Sequence, residues 1–312
     1  MIWIFRALAA FVFTVFASVG FTYLLRYYEI AAREATRGTR TPVNRDRILR
    51  GIGAWARESG VWLGIFCLHP LGLLPRPRIR SGAWLPVNGE KRFGRPVLLV
   101  PGYSMNRGCY TLLKERLERA HRPTLAIDFP SRKTIEEMAE TLAAGVMELK
   151  SATGADKIDL ICHSRGGLIA HWWMHRMGGA AHVDRIVTMG TPFSGTRIGA
   201  FGFGPSPLQM FPGTEFIRTL AGIPLDPRVT FYAVNGESDA FILPQGNDEL
   251  PAPGRNIRVP GLGHLGLLLS AAAWAQVHAA LRRTTEDDFV ITGFEDESQD
   301  QAAERAIAGF GR

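Results

Sequence analysis

Ser164 lies in Cys162-His163-Ser164-Arg165-Gly166-Gly167, where the apolar run Ile158 to Ile161 ends and a segment with helical spacing, Leu168 to Met177, begins. A serine at a sharp strand-to-helix turn has its hydroxyl lifted above the sheet edge. The amide of the next residue, Arg165, then lies beside it as a donor to a developing oxyanion. Such a turn demands small flanking residues, which Gly166 and, less completely, Cys162 supply. A hydroxyl is a poor nucleophile until a base takes its proton. His264, in Gly261-Leu262-Gly263-His264, follows the last expected strand, and the glycines let a loop carry its imidazole over the sheet edge. A carboxylate must then hold the imidazole's tautomer. Asp239 follows the preceding strand and gives the chain order Ser, Asp, His. Asp226 and Asp248 suit the role less well, because neither directly follows a strand. The chemistry such a trio performs is acyl transfer through an acyl-enzyme. His163 is expected to give packing support, its ring projecting away from the hydroxyl, and His171, His175 and His182 to be surface or core residues. No group of His, Cys or acids has metal-ligand spacing, so neither a metal nor a cofactor is expected.

Positioning these groups needs a sheet whose strand ends share one rim. From Val97 onward, short apolar runs alternate with helical patterns, which is the signature of a parallel sheet. Strands are expected at Val97 to Val100, Thr124 to Phe129, Ile158 to Ile161, Arg185 to Met189, Val229 to Val234 and Asn256 to Val259. Helices are expected at Leu112 to Ala120, from the capping box Thr134-Ile-Glu-Glu137 to about Lys150, and at Leu265 to Leu281. The candidate site residues follow strand C-termini, where open α/β sheets place their sites.

Five segments carry a family resemblance: Val97-Leu-Leu-Val-Pro-Gly-Tyr103, Cys162-His-Ser-Arg-Gly-Gly167, Gly190-Thr-Pro-Phe-Ser-Gly-Thr196, Gly236-Glu-Ser-Asp239 and Gly261-Leu-Gly-His264. Together, over about Pro96 to His264, they resemble the α/β-hydrolases of the bacterial lipase/esterase type. The resemblance implies a mostly parallel sheet flanked by helices. It also implies a second oxyanion donor in the loop after the first strand, here the amide of Tyr103 in Pro101-Gly102-Tyr103. Proline stands where the family usually has histidine. The Gly-, Pro- and Phe-rich insertion at 196–228 is expected to form a cap or lid over an apolar acyl pocket, with Phe193, Met210 and Phe211 as substrate contacts.

The 312 residues divide, on this reading, into an N-terminal membrane anchor (1–30), a basic juxtamembrane or interfacial region (31–94), the hydrolase domain (95–283) and an acidic tail (284–312). Ala7 to Leu25 is an uncharged run of 19 residues, about 28 Å long as a helix and close to a bilayer's hydrocarbon thickness. A cleaved signal peptide is the competing reading, but the run is longer than such a peptide's apolar region and no convincing small-x-small cleavage site follows it, so an uncleaved transmembrane helix is expected. Seven arginines between Arg26 and Arg50 follow it and only Arg6 precedes it, which favours a cytoplasmic catalytic domain. Val61 to Leu74 is shorter and broken by His69 and Pro70, as suits an interfacial or packed segment. The net charge is +7, and residues 1–283 carry 34 basic against 21 acidic side chains, or +13. No nucleic-acid motif accompanies that charge, so a membrane surface is the expected partner. The three cysteines are widely spaced and suggest thiols. The sequence therefore points to a membrane-anchored serine hydrolase acting on apolar or lipid esters. An acyltransferase with the same trio, or a non-catalytic scaffold, is the alternative. Oligomeric state is left open.

Overall fold

The structure, a computed structural model, describes residues 2–39, 45–76, 94–130 and 132–282. The expected boundary near Arg80 to Arg95 lies mostly outside the described residues, and the acidic tail lies wholly outside them.

Two long helices open the chain, α1 (Ile2–Thr36) and α2 (Arg45–Leu68). They run antiparallel, since Phe11 meets Phe66, Phe16 meets Trp55, and Glu34 meets Arg47. The helix α1 extends well past the apolar run. Its side chains from Ile2 to Leu8 are mostly solvent-facing, whereas Val19 and Tyr23 are buried against Ala54 of α2 and Ala240. The described part of the chain thus has one helix long and apolar enough to cross a membrane, and its second half also packs on protein.

The sheet domain follows the expected alternation: β1 (Val97–Val100), α3 (Thr111–Arg119), β2 (Thr124–Ala126), α4 (Ile135–Thr153), β3 (Ile158–His163), α5 (Arg165–Arg176), β4 (Val183–Met189), α6 (Pro205–Gln209), α7 (Glu215–Ala221), β5 (Thr230–Gly236), β6 (Arg255–Val259), α8 (Gly266–Leu269) and α9 (Ala271–Arg282). Among the described residues the strands form one six-stranded sheet in the order β2-β1-β3-β4-β5-β6, and every pairing is parallel. The second strand is shorter than the sequence suggests and ends at Ala126.

Helices cover both faces, as a parallel sheet requires. Side chains alternate along each strand. Leu98, Val100, Leu160, Cys162 and Ala233 join the core beneath α4 and α5, while Leu99, Ile161, Val187 and Val234 join the core beneath α3, α8 and α9. Ile65 of α2 is buried in this second core, so the N-terminal helices are packed onto the domain. Thr134 and Glu137 form the expected capping box on α4, which ends at left-handed Gly154. The expected closing helix is split. Ser270 adopts an extended conformation, ends α8, and its hydroxyl accepts the Ala273 N–H of α9. At one edge of the sheet, β6 is largely exposed, with Arg255 over the Tyr232 ring and Arg258 paired to Asp248 and Glu249.

Candidate active site

Ser164 links β3 to α5 with φ 52° and ψ −122°, a conformation that side chains rarely adopt and that costs about 1–3 kcal/mol. The turn is held by neighbours on three sides. The Ser164 N–H donates to Met189 O at 2.9 Å, and its carbonyl accepts from Thr191 Oγ1 at 2.9 Å and from the Gly167 N–H at 3.1 Å. The absence of side chains lets the segments meet. A methyl on Gly166 would stand 2.5 Å from Val100 O, and one on Gly102 would stand 3.1 Å from Ser164 Cβ. The loop Pro101-Gly102-Tyr103 therefore lies directly against the serine turn. Cys162 is buried on the α4–α5 side of the sheet, and burial pushes its thiol far up, so it stays uncharged.

His264 and Asp239 are both buried, and Nδ1 of the imidazole lies 2.7 Å from Asp239 Oδ2. An ionised carboxylate only accepts, so Nδ1 carries the proton and Nε2 keeps its lone pair. Asp239 Oδ1 accepts the N–H groups of Phe241 (2.8 Å) and Ile242 (3.2 Å). Burial acts to raise this carboxyl, but the charge of His264 and these hydrogen bonds outweigh it and hold Asp239 below its ordinary value. For His264, burial acts to lower the imidazole, but Asp239 prevails and raises it above the ordinary 6.5. Gly190 follows Met189, the partner of the Ser164 amide, and a methyl there would stand 3.0 Å from His264 Nδ1 and 3.3 Å from Asp239 Oδ2. Ser164, Asp239 and His264 follow the C-terminal ends of β3, β5 and β6 and so lie along one rim of the parallel sheet, with the imidazole bonded to Asp239 and not to the Ser164 hydroxyl. The other acids lie apart from this pair: Asp248 is held by Arg258 (2.7 Å) and Asp226 by Arg228 (2.7 Å).

Several roles were not legible in the sequence. His163 does more than pack. Its Nε2 lies 3.1 Å from His264 O, and because a carbonyl only accepts, Nε2 must donate. Burial, and then the nearby His264 charge, push His163 down to about 3, so it is a neutral donor bracing the His264 backbone. The Arg165 side chain is also buried. Its guanidinium donates to Ser206 Oγ at 2.8 Å and Gly102 O at 3.3 Å, tying the segment after β4 to the loop after β1. The Tyr103 hydroxyl makes a similar tie, accepting the Phe203 N–H at 2.7 Å and lying 3.1 Å from Phe203 O. A cavity of about 600 Å³ opens between these segments, lined by Tyr103, Arg132, Arg165 and Phe203. Of the expected substrate contacts, Phe193 and Met210 are buried in the core beneath α5, whereas Phe211 is 39% exposed, beside exposed Phe201, Phe203 and Leu208. His171 is a core residue against His175, and burial and then His175 push it down to about 3. His182 sits beside Lys150 on the surface of the domain. Among the described residues, no group of three or more His, Cys, Asp or Glu side chains is placed to hold a metal ion.

The fold parallels that of known proteins. The mature form of a lipase from Bacillus licheniformis is similar at 16% identity with a TM-score of 0.55, over 63% of this chain and 95% of that one. Lipase B from Aspergillus fumigatus is similar at 22% identity and a TM-score of 0.55, over 63% of this chain and 55% of that one. At such identities the likeness is one of fold. The model of the alpha/beta hydrolase family matches residues 97–311, which spans every strand of the sheet and all three of these rim residues. With the parallel sheet, the strained serine turn and the paired histidine and aspartate at its rim, the chain belongs to the α/β-hydrolase family.

Proposed function

We propose that this hydrolase cleaves carboxylic esters of apolar acyl groups, with Ser164 as nucleophile, His264 as general base and acid, and Asp239 as the group that orients the imidazole. The observation that carries this reading is the buried His264–Asp239 pair, tautomer fixed, on the same rim of the sheet as a serine held at φ 52°. Ser164 Oγ attacks the ester carbonyl as its proton passes to His264 Nε2. The carbonyl oxygen becomes an oxyanion facing the amides of Arg165 and Tyr103. Collapse breaks the acyl–oxygen bond, and the alcohol leaves with the proton from His264. Water then attacks the acyl-enzyme, giving its proton to the same nitrogen, and the acid departs as Ser164 is restored. The exposed phenylalanines around 201–211 supply apolar surface for the acyl chain or a lipid surface. The solvent-facing apolar first half of α1, from Ile2 to Phe13, anchors the enzyme in the bilayer while Val19 and Tyr23 stay packed on the domain, and the arginines after the apolar run keep the catalytic domain on the cytoplasmic side.

The test is fluorophosphonate labelling of the detergent-solubilised full chain, with an ester panel of graded acyl length. Labelling of the parent and its loss in Ser164→Ala support the reading. A folded parent that neither labels nor hydrolyses any ester refutes it. Transfer of the acyl group to an added alcohol in preference to water would instead identify an acyltransferase.

A further inference from the structure

The geometry points to Glu58 as a positioning residue for His264: its carboxylate, supplied by α2 from outside the sheet domain, grips the backbone of the loop that carries the imidazole. This inference rests on the proposal that His264 is the base.

Glu58 is 1% exposed. Its Oε1 accepts the N–H of Leu265 and its Oε2 the N–H of Gly266 at 3.1 Å, across more than 200 residues of sequence. Those two amides directly follow His264. Among the described residues Glu58 forms no ion pair with a lysine or arginine. A buried carboxylate is costly unless its oxygens are satisfied, and here two backbone donors satisfy them. The fit leaves no slack, because a methyl on Gly263 would collide with Oε2 and one on Gly266 would lie 3.3 Å from it. The loop is therefore held by three separate groups: Asp239 at the imidazole Nδ1, His163 at the His264 carbonyl, and Glu58 at the two following amides.

The consequence for the N-terminal helices is direct. The pair α1 and α2 carries a group that sets the orientation of the base, so it forms part of the catalytic unit. Asp239 and His264, from the loops after β5 and β6, and Tyr23 of α1 face the Glu58 carboxylate, while Arg26 of α1 and Arg57 of α2 act on Tyr23. Burial pushes Glu58 up to about 7. The bond from Leu265 opposes that, the charge of Asp239 adds to it, and His264 and the bond from Gly266 oppose it. The negative charge of Glu58 in turn favours the protonated form of His264. When Glu58 takes up a proton, one of its oxygens becomes a donor facing an N–H, and the grip loosens.

The experiment is the pH profile of kcat/KM for ester hydrolysis by the full chain in detergent, from pH 5 to 9. In the unmodified protein the acid limb should be steeper than a one-proton titration, since His264 and Glu58 both bind protons there. Glu58→Gln should lower kcat about tenfold and move the acid limb down by about one pH unit, as loss of a neighbouring negative charge requires. Glu58→Asp keeps the charge but not the reach, so it should lower kcat and leave the limb in place. Glu237→Gln removes an exposed carboxylate bonded to Gly261 in the same loop and serves as the control, with an unchanged profile. A one-proton limb in the parent, with no movement in Glu58→Gln, overturns the inference, even if the variant melts earlier. Ser164→Ala and His264→Ala are assayed alongside. If they retain activity, the hydrolase reading itself fails. If they lose it while the Glu58 variants match the parent, only the role of Glu58 fails.

Discussion

Replacing Asp239 by asparagine is the sharpest perturbation of the site, because its neighbours decide how the amide must sit. In the parent, Oδ1 receives two backbone N–H groups, from Phe241 and Ile242, and Oδ2 faces His264 Nδ1 at 2.7 Å. An asparagine can satisfy the two amides only with its oxygen, which turns its NH2 toward Nδ1. His264 must then present a lone pair at Nδ1 and carry its proton on Nε2, where it cannot act as a base. Flipping the amide restores the tautomer but sets the NH2 against two buried N–H groups, at about 1–3 kcal/mol for each donor left unpaired. The wrong tautomer is the cheaper outcome. Its expected effect on kcat is a loss of about 10,000-fold, equivalent to about 5.5 kcal/mol of transition-state stabilisation. The assay is steady-state hydrolysis of a soluble activated ester, with circular dichroism to confirm that the variant is folded. A folded Asp239→Asn enzyme within tenfold of the parent would refute the assignment of the base pair.

Other expectations follow from the same geometry. Because Asp239 raises His264 above 6.5, kcat/KM should fall on acidification with a midpoint above that value, as read from a pH profile in the parent. The sign for stability runs the other way: the contribution of the raised imidazole is full below 6.5 and is lost as pH climbs through its folded value, so melting curves of Asp239→Asn should lack that acid-side gain. Ser164→Gly relieves a strain of about 1–3 kcal/mol against a glycine entropy cost of about 0.5–1 kcal/mol, so it should melt above the equally inactive Ser164→Ala. Gly167→Ala pushes a methyl into the Thr191 side chain that bonds Ser164 O; about 2 kcal/mol of overpacking should lower Tm by about 4–8 °C. Tyr103→Phe removes the hydroxyl that ties Phe203 to the loop after β1. A loss of about 1 kcal/mol should speed limited proteolysis around Phe203 about fivefold, and an unchanged rate would show that the tie is idle.

How far the sequence revealed all this depends on whether each feature is local. The serine turn was legible because strain, a short apolar run and Gly166 are written within a few consecutive residues. The capping box of Thr134 and Glu137 was legible for the same reason. The alternation of strands and helices announced the parallel sheet. The features that are not local depend on contacts between distant segments. Glu58 lies in a helix with no motif around it, and only the packing of α2 on the domain brings it to Leu265 and Gly266. The sequence suggests packing support for His163, yet the approach of the His264 carbonyl makes it a donor. The side chain of Arg165 gave no sign of reaching Ser206, since the segment after β4 had to fold over the rim first. The break at Ser270 was hidden because the apolar pattern runs through it, and a hydroxyl satisfying an amide wins locally over periodicity.

Among the described residues, the outermost strands of the sheet set a limit on how copies of this molecule can join. At one border, β2 is only three residues long. At the other, β6 presents Arg255 and Arg258, the second engaged with acids of its own chain. A strand from a neighbouring molecule would have to displace those ion pairs or find a template too brief to hold it. Lateral growth of the sheet into fibres or swapped dimers is thereby discouraged.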